Sequence, residues 1–322
     1  MNKIKKTSLD FFEKKTSYNK RTSLFEDKSI DKNKLTASNI SKFSNKWKKF
    51  YTTKNRENYD IFQEKWFRSL YGISRKKLLS TKGNLNVLDA GCGGGDKTHE
   101  MAKINDKNNL WGVDLSHELE VKSLETKNQQ NLNYLRADIS NLPFKKNIFD
   151  IIICDQVLHH TFSPKKTLKE FKRLLRPKGT LLTYVYRKKS LPRELLDQHF
   201  IDSKAYSQSE LFEMSKQLTK LGKTLEEFSN EKIWFPEIPI LGIKRQKKTM
   251  QRFIYDNFIK CFYNEDIGIE QSNIVNFDWY IPDIAYRYDE DTFFELCKNT
   301  GFKIIYKHIE NSCISVRLER NP

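Results

Sequence analysis

The sequence predicts a doubly wound α/β fold with a mostly parallel sheet, and three observations carry that reading. Short strand-like runs alternate with helical ones between residues 86 and 187, the pattern of βαβ units. One run, Phe149-Asp150-Ile151-Ile152-Ile153-Cys154, is apolar on both faces, as a central parallel strand is. Glycines crowd the turn after the first run, Gly91-Cys92-Gly93-Gly94-Gly95.

The elements follow in order. Residues 1–42 have few large apolar side chains and many Lys, Ser, Thr and Asn, and read as a basic, weakly ordered leader. Residues 43–83 read as N-terminal helices. Phe43, Trp47, Phe50, Tyr51, Ile61, Phe62, Trp66, Phe67 and Leu70 recur at three- and four-residue steps until Gly83 and Asn84 break the pattern. Trp47, Phe50 and Tyr51 either cover the ligand or pack beneath the sheet. Strands are expected at 86–90, 110–114, 132–136, 149–154 and 180–187, with helices at 97–103, 117–127 and 164–175. A helix at 289–299 starts with acids and stops before Gly301, and strands 302–309 and 313–318 form a tight antiparallel hairpin. That makes seven strands. Residues 84–187 and 289–322 form the sheet domain. The insert between them, 188–288, is too long for a structureless loop and reads as a lid with helices at 191–200, 207–220 and 246–262.

Composition excludes several classes. Lys and Arg number 58 against 41 Asp and Glu in 322 residues, and residues 1–60 hold 16 of those bases and 7 of those acids, half of the +17 excess. A basic leader could track phosphates, or it could be a solvated arm. No apolar run approaches the roughly 20 residues of a transmembrane helix, and the charged start has no apolar segment behind it, so no secretory signal is expected. Five cysteines without a C-x-x-C pair argue against a disulfide framework or zinc site; no metal is expected, and a reducing cytoplasm fits.

The glycine turn decides the ligand. Dinucleotide sites want G-x-G-x-x-G and a pyrophosphate at the helix start. Here Asp96 stands where the last glycine would be, and Asp89 adds negative charge, so a cationic ligand suits the turn better.

At this point the sequence resembles the class I S-adenosylmethionine-dependent methyltransferases, which are Rossmann-like. Asp89-Ala90-Gly91-Cys92-Gly93-Gly94-Gly95 matches their first motif. Asp114, followed by Leu115, matches the ribose-binding acid, and Asp138-Ile139 the segment that takes the adenine amino group. Leu142-Pro143-Phe144, Val157-Leu158-His159-His160 and Leu174-Leu175-Arg176-Pro177-Lys178-Gly179 match blocks of the UbiE/menaquinone-like, or methyltransferase type 11, branch; Lys178 departs from the usual glycine. The resemblance implies S-adenosylmethionine as cofactor, held by Asp89, Gly91, Cys92, Gly93, Gly95, Asp114, Leu115, Asp138, Ile139, Asp155 and Gln156.

Several residues keep two readings. Asp89 could only cap the turn, and Asp138 could only make a local one. Cys154 reads as a small core residue. His159 or His160 could take a proton from the acceptor, or simply pack. Lys244-Arg245-Gln246-Lys247-Lys248 is an anion site or a solvated helix face. Tyr280, Arg287 and Tyr288 are substrate-binding candidates in a segment resembling that before the last helix of small-molecule members; Arg287 could instead make a structural ion pair.

The favoured function is methyl transfer to a small molecule enclosed by the lid. An RNA methyltransferase is the rival, since the branch includes tRNA wobble-uridine modifiers with a similar His-His stretch. A non-catalytic S-adenosylmethionine-binding partner protein is the alternative of another class. The acceptor and the oligomeric state are not legible.

Overall fold

A computed structural model of the chain describes residues 10–13, 16–27, 56–80, 83–203 and 205–322. The expected helical positions Phe43, Trp47, Phe50 and Tyr51 lie outside the described residues. In chain order the elements begin with β1 (Thr16–Asn19), β2 (Leu24–Asp27), α1 (Arg56–Tyr71) and α2 (Arg75–Leu79). There follow β3 (Asn86–Ala90), α3 (Asp96–Ile104), β4 (Asn109–Asp114), α4 (Glu118–Glu125), β5 (Leu132–Arg136), β6 (Phe149–Cys154), α5 (Pro164–Leu174) and β7 (Leu175–Arg187). The insert holds α6 (Leu191–Ser203), α7 (Gln208–Phe228), β8 (Ile233–Phe235), β9 (Gln246–Lys248), α8 (Met250–Asn257) and α9 (Gly268–Tyr280). The chain closes with β10 (Arg287–Tyr288), α10 (Glu290–Asn299), β11 (Phe302–Ile309) and β12 (Cys313–Arg320).

The main sheet runs β1-β2-β5-β4-β3-β6-β7-β12-β11, with β10 beside β7. Strands β2, β5, β4, β3, β6 and β7 pair in parallel, while β12 and β11 run antiparallel. The seven expected strands are the stretch from β5 to β11, and the doubly wound α/β class holds. Three further strands extend it to ten.

Two of those three overturn the weakly ordered leader over residues 16–27. Strands β1 and β2 pair with each other, and β2 continues the sheet through Phe25 and Glu26 opposite Leu135 and Arg136. Leu24 and Phe25 are buried, and Phe12 stacks on Phe144 with ring centroids 5.2 Å apart. Local composition hid this pair because tertiary pairing, not propensity, holds it.

Period-two alternation sorts the central strands onto two cores. Leu88, Trp111, Ile152 and Cys154 face a core closed by Leu168 and Phe171 of α5 and by Phe293 of α10. Val87, Leu110, Ile151 and Ile153 face the other, closed by Phe67, Leu70 and Tyr71 of α1. Leu211, Leu218, Phe277, Trp279, Tyr280 and Ile281 of the insert join this second core, so the insert is packed onto the sheet.

Start signals are explicit. Ser163 caps α5 ahead of Pro164, Ser207 and Glu210 make a reciprocal capping box on α7, and Asp289 caps α10. The insert departs from expectation at two points. The helix expected at 246–262 is strand β9, paired antiparallel with β8, and then the shorter α8. The Lys244–Lys248 cluster is therefore not a helix face, and Arg245 lies 4.9 Å over the Trp234 ring. Helix α9 is the second departure, since no residue spacing predicts it. Lys178 takes a φ of +64, a left-handed conformation that costs a non-glycine residue about 1 kcal/mol, which explains why glycine suits that position.

Candidate functional site

In open parallel sheets the ligand crevice lies beyond the carboxyl ends of the strands where the winding reverses. Here the chain runs β3, β4, β5 to one side and then returns to β6 on the other, so the crevice opens between β3 and β6. The glycine turn stands there. Gly91 has a φ of +85, and a Cβ on it would stand 2.4 Å from the Val157 side chain. Gly95, also at +85, would meet the Tyr134 ring at 2.8 Å. Backbone freedom and close approach both demand glycine at these two points. The amides of Gly91 and Cys92 donate to the Val113 carbonyl at 2.8 and 3.1 Å, tying the turn to β4.

Three acids converge on this turn. Asp89 is buried and accepts from the Thr98 hydroxyl at 2.6 Å. Asp114 accepts from the Gly93 amide and the Ser116 amide, each at 2.8 Å. Asp155 accepts from the Tyr71 hydroxyl at 2.8 Å, with Arg75 3.6 Å away. Burial raises all three carboxyls, Asp89 to about 6. Hydrogen bonds oppose the shift at Asp89 and Asp114, and the Arg75 guanidinium opposes it at Asp155. Arg75 is shared with Glu64 at 2.6 Å, so the crevice keeps a negative excess that a cation would relieve. Buried Arg75 Nε has no hydrogen-bond partner among the described residues and is a free donor at the same place.

The other expected cofactor positions line the same edge. Leu115 follows Asp114, and its amide helps to hold the Asp114 charge. Asp138 is half-buried and accepts from the Ser140 amide at 2.8 Å, a local turn, while Ile139 is buried beside it. The Ala137 amide donates to the Asp114 carbonyl at 3.2 Å and holds this segment against β4. Gln156 takes a φ of +61 at the end of β6. Burial pushes the Cys92 thiol up, so it stays a thiol rather than a nucleophile.

The two histidines differ. His159 is fully buried, with its ring centroid 3.8 Å from that of Tyr186. His160 is half-buried, and its Nδ1 lies 2.7 Å from the Ile284 carbonyl. A carbonyl only accepts, so Nδ1 carries the proton and the Nε2 of a neutral ring is left with a lone pair.

The substrate-binding candidates are engaged with the protein itself, although Arg287 of β10 lies opposite Tyr186, whose ring touches His159. Arg287 donates to Glu194 at 2.8 Å and to Gln198 at 3.0 Å, which is the ion pair of its two readings. The Tyr280 hydroxyl accepts from the Lys260 amide at 3.1 Å, and its ring packs on Phe200. Tyr288 packs on Phe293, and burial raises its phenol to about 12. Sequence reading missed Tyr71, Arg75 and Thr98. Thr98 lies in the first turn of α3, where its hydroxyl reaches back to β3, but Tyr71 and Arg75 gave no signal beyond helical spacing. Among the described residues no cluster of His, Cys, Asp or Glu could hold a metal ion, and no helix is long and apolar enough to cross a membrane.

A sequence profile described as a methyltransferase domain matches residues 81–254, just over half of the chain. The chain belongs to that methyltransferase family. It is similar to a demethylmenaquinone methyltransferase of Staphylococcus saprophyticus, 33% identical over 108 residues that cover 33% of this chain and 46% of the relative. It is also similar to a ubiquinone biosynthesis O-methyltransferase of Coxiella burnetii, 37% identical over 98 residues covering 30% of this chain and 41% of that one. The chain spans about half the length of the curated relatives it matches. A solved S-adenosylmethionine-dependent methyltransferase of Mesorhizobium loti aligns over 74% of this methyltransferase-family chain and 92% of its own, at 13% identity and a TM-score of 0.43.

Proposed function

We propose that the chain transfers the methyl group of S-adenosylmethionine to a small molecule held between the sheet edge and the lid. The observation that carries this reading is the convergence of Asp89, Asp114 and Asp155 on a glycine turn that has no room for a Cβ. The residues fit this cofactor. Arg75 Nε is a free donor for its carboxylate, and the acids suit its ammonium and sulfonium. Asp114, whose carboxylate is oriented by the Gly93 and Ser116 amides, is assigned to the ribose hydroxyls. Asp138 and Ile139 are assigned to the adenine end.

When bound, S-adenosylmethionine supplies a methyl carbon made electrophilic by its sulfonium; the sulfur leaves with the C–S electron pair as the acceptor's lone pair forms the new bond. The chain's own work is alignment and exclusion of water, which supply much of the rate for an already activated donor. Helices of the insert pack on the sheet face, and in this reading they close over the crevice as a lid. His160 Nε2 is the base for an acceptor that must lose a proton, and His159 positions it from a ring centroid 4.1 Å away. The acceptor class includes quinone precursors, in keeping with the names of the two relatives.

The test offers methyl-labelled S-adenosylmethionine and an extract of the host to the purified protein, with Asp114→Ala as control. Label is expected in the small-molecule pool and is lost with the variant. Label in RNA would instead favour an RNA acceptor. Failure of the wild-type chain to bind S-adenosylhomocysteine would overturn the methyltransferase reading.

A further inference from the structure

The seam between β7 and the lid buries three cations where two are left without a counter-ion. Arg193 of α6 is 1% exposed, and its Nε donates to both oxygens of Asp197, at 3.0 and 2.9 Å, which neutralises it. Lys260, just past α8, is 7% exposed, and its ammonium stands 4.5 Å over the Trp279 ring and 5.8 Å from that of Tyr255. Lys189, two residues past β7, buries its ammonium with no hydrogen-bond partner.

The nearby acids are committed elsewhere. Asp256 binds Lys248 and Asn311, and Glu194 binds Arg287. Asp278 contributes its field to Lys260, yet among the described residues no carboxylate reaches either ammonium at ion-pair distance. Burial is the larger cause, and the Arg193 charge the next, of the fall of Lys260 to about 7 and of Lys189 to about 8. An amine buried without a counter-ion weakens a fold whether it keeps its proton or sheds it, so its place here serves something other than stability.

The cluster adjoins the proposed chemistry. Trp279, under the Lys260 ammonium, lies 4.2 Å from Tyr186, and Tyr186 lies 3.8 Å from His159. Two ring contacts therefore separate Trp279, under the Lys260 ammonium, from His159, and Lys189 is near enough for its charge to act on Lys260.

We infer that Lys189 and Lys260 form an anion-binding subsite for the methyl acceptor, which is a small acid carrying a carboxylate or phosphate. This rests on the methyltransferase reading and narrows its acceptor class. The Tyr255 and Trp279 rings exclude water around Lys260 and burial excludes it around Lys189, so a charge-assisted hydrogen bond there is strong and selects acids over their neutral analogues.

A host metabolite extract is split on an anion exchanger, and the retained and unretained pools are offered separately with labelled S-adenosylmethionine. Label is expected from the retained pool. Lys260→Met and Lys189→Met should each reduce it on the order of a hundredfold, the loss typical of truncating one partner of a buried charge pair. Both variants should bind S-adenosylhomocysteine as the wild type does. Both should also melt above it, because a buried unpaired charge has gone; a lysine with only a structural role would give a lower melting temperature. Label from the unretained pool, undiminished transfer by both variants, or lost S-adenosylhomocysteine binding in them alone would overturn the inference. No S-adenosylhomocysteine binding by the wild type would instead sink the methyltransferase reading beneath it.

Discussion

A carboxylate buried among other carboxylates resists ionisation, and Asp89 carries that penalty in the clearest form. Its folded value of about 6 lies above the ordinary 3.8, with burial the first cause. Between those values the folded chain binds more protons than the unfolded one. Stability on this account therefore falls as pH rises from about 4 to about 6 and then levels off. A rise of that size corresponds to roughly 3 kcal/mol. Asp89→Asn keeps an acceptor for the Thr98 hydroxyl but cannot ionise. The wild type should therefore lose roughly 3 kcal/mol relative to the variant between pH 4 and pH 7, read from urea midpoints at the two values. A difference that stays constant with pH would mean that Asp89 ionises without penalty. The residue types of this site were legible because the glycine turn and the acid at the end of the second strand stand in fixed order. What they touch was not. Arg287 read equally as an anion clamp or an ion pair, and its partner, Glu194, lies 93 positions earlier.

Elements were legible where one physical signal dominated. The parallel strands read as apolar runs because both faces are covered, and α5 and α10 read through their caps. Helix α9 gave no such signal. It buries Ile274, Phe277, Trp279 and Tyr280 together with Gln271, Ser272 and Asn276, so apolar and polar side chains share its buried surface and no single stripe emerges. Asn276 explains the polar part. Its amide nitrogen donates to Thr219 of α7 and to the Phe262 carbonyl, each at 2.9 Å, while its oxygen accepts from the Phe262 amide at 2.8 Å. One side chain thus fastens α7, α9 and the segment bearing Lys260. Asn276→Ala should destabilise the fold by roughly 3 kcal/mol, since it leaves buried backbone groups unpaired. Hydrogen exchange should rise first at residues 259–263 and in α7. Unchanged exchange there, with a uniform loss elsewhere, would show that the insert is not held by this clamp.

At the scale of the whole molecule, the open question in the sequence was what the basic leader does, and part of it turns out to be sheet. Among the described residues of the first 27, the apolar side chains of Phe11, Leu24 and Phe25 are buried. Trp111 meets Phe11, Phe12 and Phe25 with ring centroids 5.3–5.5 Å apart. The acids of this stretch hold arginines of the sheet domain, Glu26 to Arg136 at 2.6 Å and Glu13 to Arg173 at 2.9 Å. Composition concealed all this, because two strands of four residues joined through exposed Lys20 and Arg21 have the same make-up as a solvated arm. Deleting residues 1–27 would open the edge of β5 and uncover Trp111 and Phe144. Burial of a large apolar side chain is worth about 1.5–3 kcal/mol, so three of them set a loss on the order of 5 kcal/mol. An exposed strand edge also invites self-association. The truncated chain is therefore expected to unfold at lower urea and to aggregate at concentrations where the full chain does not. A leader whose work is to track phosphates predicts the reverse. The truncated chain would then keep the full urea midpoint while its affinity for tRNA fell and the salt dependence of that affinity became shallower, because fewer counterions would be released. Light scattering and urea titration of the two chains, with tRNA binding at two salt concentrations, separate these outcomes.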